Sequence, residues 1–289
     1  MRLDAVHLLL LRFLGLAALW RDDSISDSEA SGGAEMMELL PENPECLGKS
    51  AGSAAARTSC DVPQRLHASC DGCIIRNCLY RSDQLSALRR IKGVEFEANA
   101  VLYREGQSGT NLYVIRSGLV KLVQYSSNGS ARIVRLLHSG NVIGLEALLG
   151  RVYHHTAVML TDTVICLIST SVCNLLSDLD PSFRKAMMGC WQDQLDTADL
   201  WICGFSTGPA QVRLARLIRY LSSIEVPVSN DEVKLLCRED MASILGLAYE
   251  SICREVSKLR SFGALRQVGA GRYACNAVLL EEISDDHWC

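Results

Sequence analysis

Gly106, Gly118, Gly129 and Gly140 fall 11 or 12 residues apart, and short apolar runs fill the gaps between them. The runs are Leu112-Tyr113-Val114-Ile115, Leu119-Val120-Lys121-Leu122-Val123 and Ile133-Val134-Arg135-Leu136-Leu137. Segments this short cannot form a helical core, but they suit strands of about five residues joined by glycine turns. Asn128-Gly129 is a hairpin signal, because both central positions of a type I′ turn need positive φ. From Leu85 to about Ser171 the expected structure is therefore an all-β sandwich, barrel or roll, and a compact β-roll fits best.

The rhythm changes at Pro181. Met188, Trp191, Leu195, Ala198 and Ile202 are spaced 3, 4, 3 and 4, a heptad stripe. A helix of about 22 residues there would be about 33 Å long. It could pack on its own domain or pair with a second copy. Gly208-Pro209 then breaks the chain.

Beyond the break the pattern is helical again. Val212, Leu214, Ala215, Leu217, Ile218 and Leu221 make one apolar face, with Arg213, Arg216 and Arg219 largely opposite. After the polar link Val228–Asp231, two helical segments meet at Gly246, the helix-turn-helix arrangement. Leu265–Val268 and the turn at Gly271-Arg272 form a small hairpin, like the wing of a winged helix. On the second helix Glu250, Arg254, Lys258 and Arg260 gather. Arginine can bridge guanine O6 and N7, and glutamate can accept from the cytosine amino group. The competing account is an exposed helical salt bridge between Glu250 and Arg254, worth about 0.3–0.5 kcal/mol.

Charge does not exclude this reading. The 289 residues leave room for about two domains, and 48% hydrophobic content supports real cores. A net charge of −4 argues against a histone-like, non-specific binder. Acids are concentrated in residues 21–45, so the remainder is close to neutral. Residues 21–65 show no apolar period and are expected to be a disordered extension. Met1–Trp20 is apolar, but Arg12 interrupts it and no small-residue cleavage site follows. It is expected to be an amphipathic tail or an upstream stretch wrongly included in the reading frame, not a signal peptide or membrane span.

Cysteine usage carries the chemistry. Thirteen is an odd total without paired spacing, which fits a reducing cytoplasm better than a secreted disulfide framework. Cys70, Cys73 and Cys78 form C-x2-C-x4-C. Three soft thiolates so close suit zinc or an iron–sulfur cluster, both of which want four ligands. Cys60, Cys166 and Cys173 are the candidates for the fourth, and His67 and Arg76 could offset the thiolate charge. A zinc-stabilised DNA-binding module without sensing is one rival function. An iron–sulfur electron carrier or enzyme is another, but no nucleophile–base pair or substrate glycine loop supports it.

Taken together, the roll, the long helix, the Cys70–Cys78 trio and Glu250-Ser251-Ile252-Cys253-Arg254 resemble the Crp/Fnr family of bacterial transcription regulators. Within it they are most similar to the oxygen-sensing fumarate and nitrate reduction subgroup. The resemblance covers about residues 67–280. It implies an α+β chain with a cyclic-nucleotide-binding-like N-terminal β-roll as sensor, a dimerisation helix and a C-terminal winged helix-turn-helix. The corresponding boundaries are 1–65 for the extension, 66–172 for cluster segment and roll, 173–206 for the helix and 207–289 for the DNA-binding domain.

It also implies a [4Fe–4S] cluster on Cys70, Cys73, Cys78 and Cys166, with Cys166 in the strand Thr163–Ile168. Double-stranded DNA, RNA polymerase and a second copy of the chain are the implied partners. Met188, Trp191, Leu195, Ala198 and Ile202 would line the dimer seam, and Glu250, Ser251, Cys253, Arg254 and Lys258 would meet DNA. Loss of the cluster in oxygen would weaken pairing near Leu195 and Ile202, and DNA affinity with it. A regulator sensing nitric oxide or redox state through the same cysteines is the alternative in this class. The family's E-x-x-S-R motif carries Cys253 in place of serine, and its C-x2-C-to-cysteine spacing is similar but not identical here. Cyclic-AMP-binding rolls use G-E-L and Arg-Ser segments; Gly144-Leu145-Glu146 and His155-Thr156 stand in those places. A cyclic phosphate would lose its bidentate arginine, so no cyclic nucleotide site is expected.

Overall fold

The computed structural model describes residues 92–127, 129–224 and 232–284. The N-terminal apolar stretch, the extension 1–65, Cys60, the Cys70–Cys78 trio and Asn128 lie outside these residues.

Eight strands come first: β1 (Lys92–Phe96), β2 (Val101–Tyr103), β3 (Asn111–Ser117), β4 (Val120–Tyr125), β5 (Ala131–Leu137), β6 (Val142–Ile143), β7 (Thr156–Met159) and β8 (Thr163–Ser169). They form two antiparallel sheets, ordered β1-β8-β3-β6 and β2-β7-β4-β5, so the roll is present. The four spacing glycines all take positive φ, between 80° and 100°. At Gly118 the reason is also steric, since a Cβ there would collide with the Asp162 carbonyl and Thr163 Oγ1. Leu112, Val114, Ile115, Ile165 and Ile168 fill the space inside the roll.

The segment 173–206, expected as one helix, is divided. Helix α1 (Thr170–Leu179) starts at a Ser169 cap, and α2 (Pro181–Ser206) follows after one residue. Asp180 makes the break: its Oδ1 accepts from Ser182 N at 2.8 Å, while Pro181 can open α2 but cannot continue α1. At 26 residues α2 outruns the stripe, because Trp201 and Phe205 continue into a second core.

That second core belongs to the C-terminal elements: α3 (Ala210–Ile224), β9 (Glu232–Lys234), α4 (Arg238–Leu245), α5 (Tyr249–Ser261), β10 (Leu265–Gly269), β11 (Arg272–Cys275) and α6 (Ala277–Ser284). The expected two-stranded wing has a third strand, in the order β10-β11-β9. Three residues, Glu232-Val233-Lys234, are too few to show a period in sequence, yet Val233 is buried against the helices. Roll residues Leu119, Val123, Ile133 and Leu136 also enter this core, beside Met241, Ile244 and Leu245. Roll and winged helix therefore share packed surface.

Candidate functional site

Helix α4 begins at Cys237, whose Sγ accepts from Asp240 N, and ends at Gly246 with φ of 58°. The left-handed glycine lets the chain turn at once into α5. Ile252, Glu255, Val256 and Leu259 are the buried side of α5. The other side carries Tyr249, Glu250, Arg254 and Lys258 exposed, with Ser251 half-buried among them.

The pairing within this face differs from the salt bridge weighed on sequence. Arg254 is held by Glu255 and Ser251, not by Glu250: Nε lies 3.6 Å from Glu255 Oε1, and Nη2 donates to Ser251 Oγ at 3.3 Å. Lys258 Nζ is 2.9 Å from the same Glu255 oxygen. Glu250 is left exposed beside the helix N-terminus, where its charge is favourable. Cys253 is half-buried one turn from the exposed Tyr249, and its side chain raises the tyrosine above its ordinary range. Sequence reasoning missed Glu255. Its position three after Ile252 and four before Leu259 marks it as an inward-facing acid between two cations.

The exposed face continues into a cleft of about 430 Å³ between the end of α5 and the wing. Ser257, Arg260, Ser261, Arg266 and Gln267 line it, with Leu265 at its floor. The two guanidinium groups there suit phosphate oxygens, while the Ser257 and Ser261 hydroxyls donate to the Cys253 and Lys258 carbonyls.

In the roll, Cys166 is buried on β8, in register with Gly93 of β1 and Val114 of β3. Cys173 is fully buried on α1, and burial pushes its thiol up to about 12. Among the described residues, no group of three or more His, Cys, Asp or Glu side chains could hold a metal ion, and no helix is long and apolar enough to cross a membrane.

Aromatic rings occupy the roll near Gly144. Tyr103 and Tyr153 stack at 3.8 Å, and Tyr113 lies 5.8 Å from Tyr103. Tyr153 Oη donates to Asn111 O at 2.8 Å, and its ring touches the place a Gly144 Cβ would take. Of the segments aligned with nucleotide-binding ones, Thr156 Oγ1 accepts from Glu105 N at 3.1 Å. Burial, aided by the nearby Arg135 charge, holds His155 below its ordinary pKa and so neutral.

Along α2, Phe183, Met187, Trp201 and Phe205 are buried, while Trp191 and Ala198 are half-buried. Met188, Leu195 and Ile202 repeat every seven residues and are 70%, 54% and 62% exposed.

Comparison with known proteins matches this arrangement. The cyclic nucleotide-binding domain family covers residues 93–176. The anaerobic regulatory protein of Aggregatibacter actinomycetemcomitans is 28% identical over 206 residues, 70% of this chain and 79% of its own length. The transcriptional activator FnrL of Cereibacter sphaeroides is 26% identical over 240 residues, 78% of this chain and 96% of its own. The solved structure of FixK2 from Bradyrhizobium japonicum superposes with a TM-score of 0.62 at 21% identity, covering 68% of this chain and 98% of that one. A CRP-family transcriptional regulator from Thermus thermophilus gives 0.58 at 21% identity, covering 66% and 95%. At such identities the solved structures establish the fold.

Proposed function

We infer that this chain, a member of the Crp/Fnr family of transcription regulators and not an enzyme, is an oxygen- or redox-responsive homodimer that binds a palindromic DNA site while a [4Fe–4S] cluster is intact. The observation that carries the DNA reading is the division of α5. Its apolar side is locked into the second core, and Glu250 and Arg254 stand exposed at the end that enters a major groove. Glu255 and Ser251 fix the Arg254 guanidinium before DNA arrives, so less side-chain freedom is lost on binding. Ser251 and Lys258 complete the face, with half-buried Cys253 beside them. The Arg260–Arg266 cleft takes the adjoining backbone phosphates.

Cys70, Cys73, Cys78 and Cys166 would hold the cluster. The chain supports this set: the segment bearing the trio leads into β1, and β1 is paired with β8 at Gly93 and Cys166. Cys78 stands 15 residues before Gly93, a span of up to about 50 Å when extended. When bound, the cluster supplies an oxygen-labile link between the N-terminal segment and the roll. Strand β8 runs directly into α1 and, through Asp180, into α2, so a change at Cys166 has a short rigid route to the dimer seam. The same route serves nitric oxide or another oxidant. The Tyr103–Tyr153 stack and the neutral His155 speak against a cyclic nucleotide in the roll. The working compartment is the cytoplasm, and RNA polymerase is the partner through which bound dimers act.

Anaerobic purification followed by iron, sulfide and zinc analysis tests the cofactor. About four irons per chain and DNA binding that falls in air are expected. A colourless protein holding zinc, with air-insensitive binding, leaves a DNA-binding module without a sensor.

Two substitutions test the face. Arg254→Ala is expected to lose about 1–3 kcal/mol of discrimination at one guanine, measured by competition among altered sites. An unchanged sequence preference removes α5 from the groove. Arg266→Ala is expected to weaken binding to all sequences alike and to lower the salt dependence by about one unit of slope. A change confined to one base position contradicts a phosphate role.

A further inference from the structure

The roll does more than pack against the winged helix. Lys121 of β4 and Asp240 of α4, 119 residues apart in sequence, form an ion pair of 2.6 Å with both residues buried. Beside it Ser243 of α4 caps the edge strand β5. Its Oγ accepts from Ile133 N at 2.9 Å and donates to Ala131 O at 3.2 Å. Strand β5 lies at the end of its sheet, with unpaired backbone groups on its outer side, and Ser243 satisfies one donor and one acceptor there. Arg132, between those two residues, places its guanidinium against the turn at Gly246.

We propose that Lys121 and Ser243 are positioning residues for DNA recognition: through Asp240 and β5 they fix the orientation of α4, and hence of the recognition helix α5, on the roll of the same protomer. This rests on the DNA-binding reading above and adds what sets the recognition helix in place. The shared apolar core supplies adhesion, but apolar contact is non-directional and tolerates sliding. A buried ion pair and a doubly bonded hydroxyl each have one geometry. A buried charge left unpaired is costly, so Lys121 and Asp240 enforce one register. In a symmetric dimer that register is read twice. A small rotation of each α4 would move two recognition helices off half-sites set one helical turn apart. Lys121 and Ser243 touch no DNA in this scheme; they act through α4.

The test uses the full-length dimer and the palindrome that the wild-type protein selects from a random pool. Affinity is measured for that palindrome and for versions lengthened or shortened by one and two base pairs at the centre. Lys121→Met/Asp240→Leu replaces the pair with apolar side chains, which often leaves folding intact. It is expected to stay folded and dimeric while the preference for the correct spacing falls about tenfold, the ratio given by about 1.4 kcal/mol of coupling. The milder Ser243→Ala keeps the test open where the double variant fails to fold. In it, the Ile133 amide is expected to exchange with solvent faster, and the spacing preference to fall in the same direction. A merely structural role would lower affinity for all spacings equally. Unchanged spacing preference in the folded variants, or wild-type exchange at Ile133 in Ser243→Ala, overturns the proposal. Hydrogen exchange reads the docking without DNA, so a protein that selects no DNA refutes the DNA reading while the exchange result still judges the docking.

Discussion

A Cys166→Ala protein purified without oxygen is expected to lack the brown iron–sulfur absorbance and any DNA-binding response to air, whereas Cys60→Ala and Cys173→Ala keep both. The three candidates differ in what holds them. Cys60 lies ten residues before Cys70, and closing so short a loop is cheap, since the cost grows only as about (3/2)RT ln n. A cluster held wholly within that segment, however, would have no tie to the roll and no way to change α2. Cys173 is on the right path, but it is completely buried on α1 and lies on neither β8 nor its partner β1. Cys166 is on β8, between β1 and β3, and β1 receives the chain from the cysteine trio. Alanine removes a single sulfur from that position, so the roll is expected to stay folded and the loss to be specific. Four irons per chain in Cys166→Ala, or their loss in Cys60→Ala, would show that another ligand completes the site.

Periodicity made the local structure legible. The glycine spacing marked the turns of the roll, and each of those glycines takes a backbone conformation that other residues avoid. The 3,4 stripe marked α2, and Gly246 marked the turn between α4 and α5. What stayed hidden depends on contacts that no period encodes. Pro181 marked the start of α2, but the short helix α1 before it had no signal of its own, since Ser169 and Asp180 act as caps only in the fold. Glu232–Lys234 becomes a strand only because β11 is there to pair with it. Lys121 sat within an apolar run and Asp240 in a helix first turn; only the fold brings them together. On the outer face of α5, Glu250 and Arg254 were identifiable as exposed, but the partner of Arg254 was not. Adjacent Glu255 points inward and still reaches back to it. The cysteine trio was the most specific chemical signal in the sequence, and its reading as a cluster site rests on the family resemblance, since it lies outside the described residues.

Leu195→Glu is expected to give a monomer without oxygen, with its iron content unchanged and its affinity for a palindrome lost. One side of α2 is committed within the protomer, where Phe183 and Met187 pack on the roll and Trp201 and Phe205 on the winged helix. Met188, Leu195 and Ile202 have no such cover, and their seven-residue repeat places them along one line of the helix. A second copy of α2 would cover that line, each apolar side chain so buried contributing about 1.5–3 kcal/mol. Leu195 is the middle of the three, so in a two-fold seam it lies nearest its own symmetry mate. Glutamate there removes two buried leucines and sets two like charges together in a low-dielectric contact. The proposed cluster ligands, Cys166 on β8 and the cysteine trio in the N-terminal segment, are not touched by the change. Sedimentation under nitrogen reads the assembly, and iron analysis of the same sample shows whether the cluster survives without the dimer. A Leu195→Glu protein that still sediments as a dimer places the interface elsewhere and leaves α2 with an intramolecular role alone.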